Sequence, residues 1–216
     1  MIRLVTAALV FAALTSFPAE VAAQAPSLRN PASLTETAPA TYNVRFDTSA
    51  GVFVAHVERA WAPKAADRFY NLVKSGFYDG VRFYRSMPNF MAQFGLHGEP
   101  AVNAIWSRQA FRPDPVKHSN KRMTLAFAMG GNPMVATTQV FLSFRDNSNL
   151  DASGFAAFAD IVEGQDVAAK IYTGYGDMPQ RGGRGPDTGR ILKEGNAYLE
   201  KSFPKLDFIK KATIEP

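Results

Sequence analysis

The stretch FYRSMPNFMAQFG (83–95) sets one arginine, Arg85, behind two aromatic residues and ahead of Met87, Phe90 and Met91, with Gln93 close behind. A guanidinium stays charged at any working pH and offers five N–H donors in a rigid fork. Burying it without a partner is costly, so such a residue either reaches water or has a partner waiting. Over an apolar hollow, its available chemistry is stabilisation of a bound group by hydrogen bonding, with no nucleophile and no proton shuttle. Read alone, Phe90, Met91, Phe141 and Leu150 suit a barrel core equally well, and Arg85 suits a surface arginine whose stem lies over aromatics.

Other chemistries are poorly supplied. His56, His97 and His118 are far apart, and no pair has the spacing of metal ligands. There is no cysteine, which excludes thiolate catalysis, cysteine metal sites and disulfides. HExxH and nucleophile-elbow motifs are also missing. Asp146 and Asp151 flank DNSNLD (146–151), where Asx turns are the simpler reading. No metal and no cofactor are therefore expected. The net charge of +5 has no concentrated run behind it, and the densest basic patch, KHSNKR (117–122), reads as a solvated loop. Nucleic acid is not an expected partner.

The elements that must position Arg85 read mainly as strands. YNVRFDTSAGVFVAHVE (42–58) alternates about a TSAG turn, the pattern of a hairpin. PKAADRFYNLVKSG (63–76) predicts a helix, with Pro63 in its first turn, Ala66, Phe69, Leu72 and Val73 on one stripe, and Gly76 as a stop. Short strands near 81–86 and 89–94 bracket the arginine. After an irregular segment (95–122), RMTLAFAM and TQVFLSF read as strands, followed by FAAFADIVEG, a short helix at QDVAAKIY, a Gly/Pro-rich loop from Gly176 and a closing strand at LDFIKKATI. These glycines do not carry a strand into a helix, so the loop is a poor phosphate cradle. The predicted fold is a closed eight-stranded antiparallel β-barrel capped by two α-helices.

The N-terminus has the order of a secretory signal peptide. Arg3 precedes an apolar run, Leu4 to Leu14, and a small-residue ending favours cleavage after Ala23. The run is too short to span a bilayer comfortably, so no stable membrane anchor is expected. Residues 1–23 are thus read as a signal peptide, 24–40 as a flexible leader rich in Pro, Ser and Thr, and 41–216 as the functional domain. Export to the periplasm or the medium follows as an expectation.

Four blocks in order resemble the cyclophilin-type peptidyl-prolyl cis-trans isomerases. They are the helix block PKAADRFYNLVKSGFYDG (63–80), FYRSMPNFMAQFG, TLAFAMGGNPMVATTQVFLSF (124–144) and NLDASGFAAFADIVEG (149–164), and the likeness runs from about Tyr42 to Ile214. It implies that Arg85 is the catalytic arginine, with the substrate rather than a neighbouring acid as its partner, and that Phe90, Met91 and Gln93 line the proline pocket and reach the substrate backbone. It further implies that Ala128 and Met129 run beside the bound peptide, that Gln139 and Phe141 are the second glutamine and the pocket floor, and that Leu150 stands at the rim. Proline-containing peptides and unfolded clients are the implied partners, acted on by a monomer without a cofactor.

Three departures stand out. Asn149 replaces a tryptophan found in many members, which should weaken binding of the cyclic peptide cyclosporin. Phe155 replaces a histidine, and Phe94-Gly95-Leu96 replaces Gly-Gly-Asp. The first two leave open a non-catalytic module that only holds proline segments. A barrel carrying a small apolar ligand is a third reading. The segment 177–206 looks like an insertion before the last strand and suggests no role.

Overall fold

The computed structural model describes residues 26–215, so the expected signal peptide lies outside the described residues. Strands β1 (Thr41–Thr48) and β2 (Gly51–Glu58) form the predicted hairpin, paired in register from Thr41–Glu58 to Thr48–Gly51. Its turn is held by Thr48, whose Oγ1 accepts from Ala50 N (3.2 Å) and donates to Gly51 O (2.6 Å). Helix α1 (Pro63–Lys74) follows. Ala62 cannot cap it with a side chain, so the free amides of Lys64 and Ala65 donate instead to Asp114 Oδ2 (3.0 and 3.1 Å), a remote residue that does the work of an N-cap.

The remaining strands are β3 (Arg85–Met87), β4 (Met91–Phe94), β5 (Thr124–Gly130), β6 (Val135–Ser143), β7 (Ala157–Glu163) and β8 (Ile209–Glu215). All eight join one antiparallel sheet in the order β3-β4-β6-β5-β7-β2-β1-β8. The sheet curls around a core of aromatic rings. Phe69 lies 4.9 Å from Phe158, Phe127 5.4 Å from Phe158, and Tyr78 5.4 Å from Phe94, centroid to centroid. Rings fill the interior, which removes the reading as a carrier with an apolar lumen.

Three expectations need correction. The barrel is open: β3 and β8 are the sheet edges and share no ladder. The chain turns out of its last helix at 203–206 and lies beside 81–83 only briefly, giving the single bridge Arg82–Phe208 and flanking bonds such as Phe83 N to Asp207 O (3.0 Å). Helices are also more numerous than the two expected. Besides α1 and the short α3 (Gln165–Ala168) there are α2 (Pro100–Trp106) in the segment read as irregular, and α4 (Thr188–Glu194) and α5 (Asn196–Ser202) in the segment read as an insertion. Finally, residues 28–40 of the expected flexible leader pack against the domain. Leu28 is 1% exposed with its carbonyl accepting from Trp106 Nε1 (3.0 Å), and Ala38 N donates to Asp67 Oδ1 (2.9 Å).

Candidate active site

Side chains in a strand alternate between faces, and β4 uses both. Ala92 and Phe94 point into the ring-filled interior. Met91 belongs to a separate buried cluster with Ala126, Phe141 and Ala157 on the outer face, flanked by Phe90, Ala128, Leu150 and Phe155. Cross-strand register explains this second cluster. Arg85 on β3 pairs with Gln93 on β4, Gln93 with Phe141 on β6, Phe141 with Ala126 on β5, and Ala126 with Ala157 on β7. One row crosses five strands, running from a charged end to an apolar end. Ala126 and Ala157 are fully buried beneath Met91 and Phe141 at its apolar end.

The hollow over this row is a cavity of about 710 Å³. Its apolar end is made by Phe90, Met91, Phe141, Leu150 and Phe155, with Phe155 set edge-on to Phe141 at 5.7 Å. The rim is fixed by local turns. Asn147 Nδ2 donates to Phe90 O (2.9 Å), while Asp151 anchors Asn120, whose Nδ2 donates to Phe155 O (2.6 Å). At the other end β4 must pass close to β6: a side chain on Gly95 (φ 104°) would begin 2.3 Å from Thr138 O. That close approach is why glycine follows Phe94 here.

A chain of polar groups crosses the cavity floor. Tyr84 OH donates to Gln139 Oε1 (2.5 Å), Gln93 Nε2 donates to the same oxygen (3.1 Å), and Gln93 Oε1 accepts from Arg85 Nη1 (3.1 Å). Burial pushes the Tyr84 hydroxyl far up, so it stays protonated and keeps its hydrogen for Gln139.

The chain does not end at Arg85, and here an expectation is overturned. Arg85 already has an acidic partner: Nε donates to Asp177 Oδ1 (2.6 Å) and Nη2 to Asp177 Oδ2 (3.2 Å). Both members are sheltered, Arg85 at 9% exposure, with 22% of the Asp177 side chain exposed. Burial works to raise the Asp177 carboxyl. The hydrogen bond from Arg85, the Met178 N–H (2.8 Å) and the charges of Arg85 and Arg181 outweigh it and hold the group below the usual carboxylate value. Three of the five guanidinium N–H groups are thus committed within the chain, and one on each Nη remains to be offered to a ligand.

Every site residue expected from the sequence lines this one cavity: Arg85, Phe90, Met91, Gln93, Ala128, Met129, Gln139, Phe141 and Leu150. Asn149 is exposed and does not reach it, whereas Phe155 does. Sequence reasoning missed Asp177, Tyr84 and the wall supplied by the 177–206 segment through Met178, Arg181, Thr188 and Leu192. Tyr84 stood next to Arg85, but it lies just before β3 and strand alternation would have set it on the opposite face, so no pattern marked it. Nothing near Asp177 marks it beyond a glycine-rich context. The histidines lie elsewhere: His56 meets Asn43 (2.9 Å), His118 stacks on Trp61, and His97 is buried. Among the described residues no three His, Cys, Asp or Glu side chains gather as metal ligands would.

Residues 43–191 match the sequence model of the cyclophilin type peptidyl-prolyl cis-trans isomerases. A peptidyl-prolyl cis-trans isomerase of Acinetobacter baylyi is 35% identical over 138 residues, covering 59% of this chain and 70% of the relative. Peptidyl-prolyl cis-trans isomerase A of Dickeya dadantii is 34% identical over 154 residues, 64% of this chain and 78% of its own. Among solved structures, a cyclophilin type isomerase of Cryptosporidium parvum, crystallised in the presence of the dipeptide Ala-Pro, superposes with a TM-score of 0.57. It is 18% identical and covers 81% of this chain and 99% of its own, a likeness of fold. The chain belongs to the cyclophilin family, and its enzymatic class is peptidyl-prolyl cis-trans isomerase.

Proposed function

We propose that the cavity takes the proline ring of a peptide into the hollow of Phe90, Met91, Phe141 and Leu150, and that Arg85 drives rotation of the X–Pro bond. The observation that carries this reading is the row Arg85–Gln93–Phe141–Ala126, which joins a fixed donor to an apolar seat on one face of the sheet. Turning the bond breaks amide resonance, a barrier of about 18–20 kcal/mol. In the twisted state the prolyl nitrogen is more basic and the carbonyl loses conjugation, so a donor aimed there favours the twisted state over the planar one. Lowering the barrier by about 7 kcal/mol gives roughly a hundred-thousand-fold acceleration. One preorganised donor supplies about 3–4 kcal/mol of that. The rest has to come from gripping the ring while the other half turns, with Ala128 and Met129 beside the peptide and Gln93 steadying the arginine.

The signal-like sequence (1–23) supports action on exported, unfolded proline-containing chains in the periplasm or the medium; the enzyme is proposed to work there as a monomer, without nucleic acid, a stable membrane anchor or a cofactor. Sequencing the N-terminus of the exported protein tests the first part; Gln24 is the expected first residue. Activity is tested on a tetrapeptide with a central Ala-Pro bond. In Arg85→Ala, kcat/KM is expected to fall by about a hundred- to a thousand-fold. An undiminished rate would show that this arginine is not the catalytic group.

A further inference from the structure

The Arg85–Asp177 pair joins the catalytic row to a segment that the row itself does not need, and the surroundings of Asp177 are built around it. Its backbone is tied to β3 by the bridge between Gly176 and Ser86. The following turn then folds back over it. Gly185 N donates to Asp177 O (2.7 Å), and a side chain on Gly183 would sit 1.9 Å from that oxygen, so only glycine allows the wrap. Met178 N binds Oδ1 from the other side (2.8 Å). Asp177 is therefore held by its backbone on both sides and by one bond to its carboxylate before it meets the arginine.

It takes the Nε–Nη2 edge of the fork in the side-on, bidentate manner that fixes a guanidinium most firmly. Gln93 takes one Nη1 hydrogen. The long, rotamer-rich arginine is left with one orientation and two spare donors. We propose that Asp177 is a positioning residue of the isomerase, holding Arg85 so that those two donors are aimed at the bound imide before the substrate arrives. This rests on the reading of Arg85 as the catalytic group. A carboxylate so close also weakens the positive field. What it contributes is geometry: misplacing a catalytic group by an ångström can cost about a hundredfold in rate.

The test follows exchange of an Ala-Pro tetrapeptide by NMR at graded peptide concentrations, for wild type, Asp177→Asn, Asp177→Glu and Arg85→Ala. Asp177→Asn keeps the shape and removes the charge-assisted pair. Its kcat is expected to fall about tenfold or more, with KM within about twofold of wild type. Asp177→Glu, which restores a carboxylate, is expected to recover part of the loss. The Arg85 Nε–H resonance should exchange slowly with water in wild type and quickly in Asp177→Asn. An unchanged kcat in Asp177→Asn would reduce the pair to a structural tie, and a raised kcat would make it a restraint on Arg85; either overturns the proposal. So would a loss confined to KM, or a rapidly exchanging Nε–H in wild type. If Arg85→Ala is fully active, it is the catalytic reading of Arg85 that fails, and the two failures are told apart.

Discussion

A guanidinium with three donors already bound has little freedom left, and on the proposed reading that constraint suits Arg85 to a reaction without covalent chemistry. Lysine offers the same charge with a flexible point donor in place of a fork. Arg85→Lys is accordingly expected to bind peptide with near-normal affinity while its turnover drops about ten- to a hundredfold; retained turnover would mean that charge alone suffices. The groups facing Asp177 are Arg85, Arg181 and Tyr84, of which burial keeps the last protonated. Because Asp177 is held below the usual carboxylate value, the pair persists as pH falls, and its contribution is lost only as pH drops through that depressed value. Turnover should be flat from neutrality to about pH 5 and decline only below about pH 4. A decline centred near neutrality would point to a different titrating group. Arg85, Phe90, Met91 and Gln93 were legible because they lie in one short run. Asp177 was not: it is 92 residues away, in a loop whose glycines say only that the chain turns.

Among the elements, those with strong periodicity read well from sequence. The β1–β2 hairpin follows its alternation, and α1 begins at Pro63 and buries the expected stripe of Ala66, Phe69, Leu72 and Val73. The missed helices are short. α4 carries a readable start, with Asp187 accepting from Arg190 N (2.8 Å), and a glycine stop at Gly195, but the glycine-rich stretch before it obscured both. The cap of α1 could not be read at all, because Asp114 lies 50 residues from Lys64. Asp114→Ala should cost about 1–2 kcal/mol in chemical denaturation, the ordinary worth of a lost cap. An unchanged midpoint would mean that water satisfies those amides equally well.

For the molecule as a whole, the 177–206 segment gains a structural role that its sequence did not suggest. β3 is a sheet edge, and exposed edges invite pairing with other chains. The chain meets that edge at the Gly176–Ser86 bridge and the Asp177–Arg85 pair, and the segment packs beside it in a second apolar cluster, in which Ile191, Tyr198, Leu199 and Leu206 join Tyr84 and Leu96. The same segment supplies one wall of the cavity. Leu199→Ala is expected to cost about 2–5 kcal/mol, and to speed amide exchange across α4 and α5 while β5 and β6 stay protected; uniform speeding would show that the segment is not a separate unit of stability. The eight-stranded pattern was visible in the sequence because the first hairpin alternates and the later strands stand as short apolar runs between turn residues. Closure was not, because it depends on how far β8 runs beside 81–83, which the pattern of neither segment sets. The most direct test of the account is exchange NMR on an Ala-Pro peptide held saturating over wild type, Arg85→Ala and Arg85→Lys. Rapid cis–trans exchange of the bound peptide is predicted for wild type, with exchange sharply slowed in both variants while the peptide stays bound. Wild-type exchange rates in Arg85→Ala would contradict it.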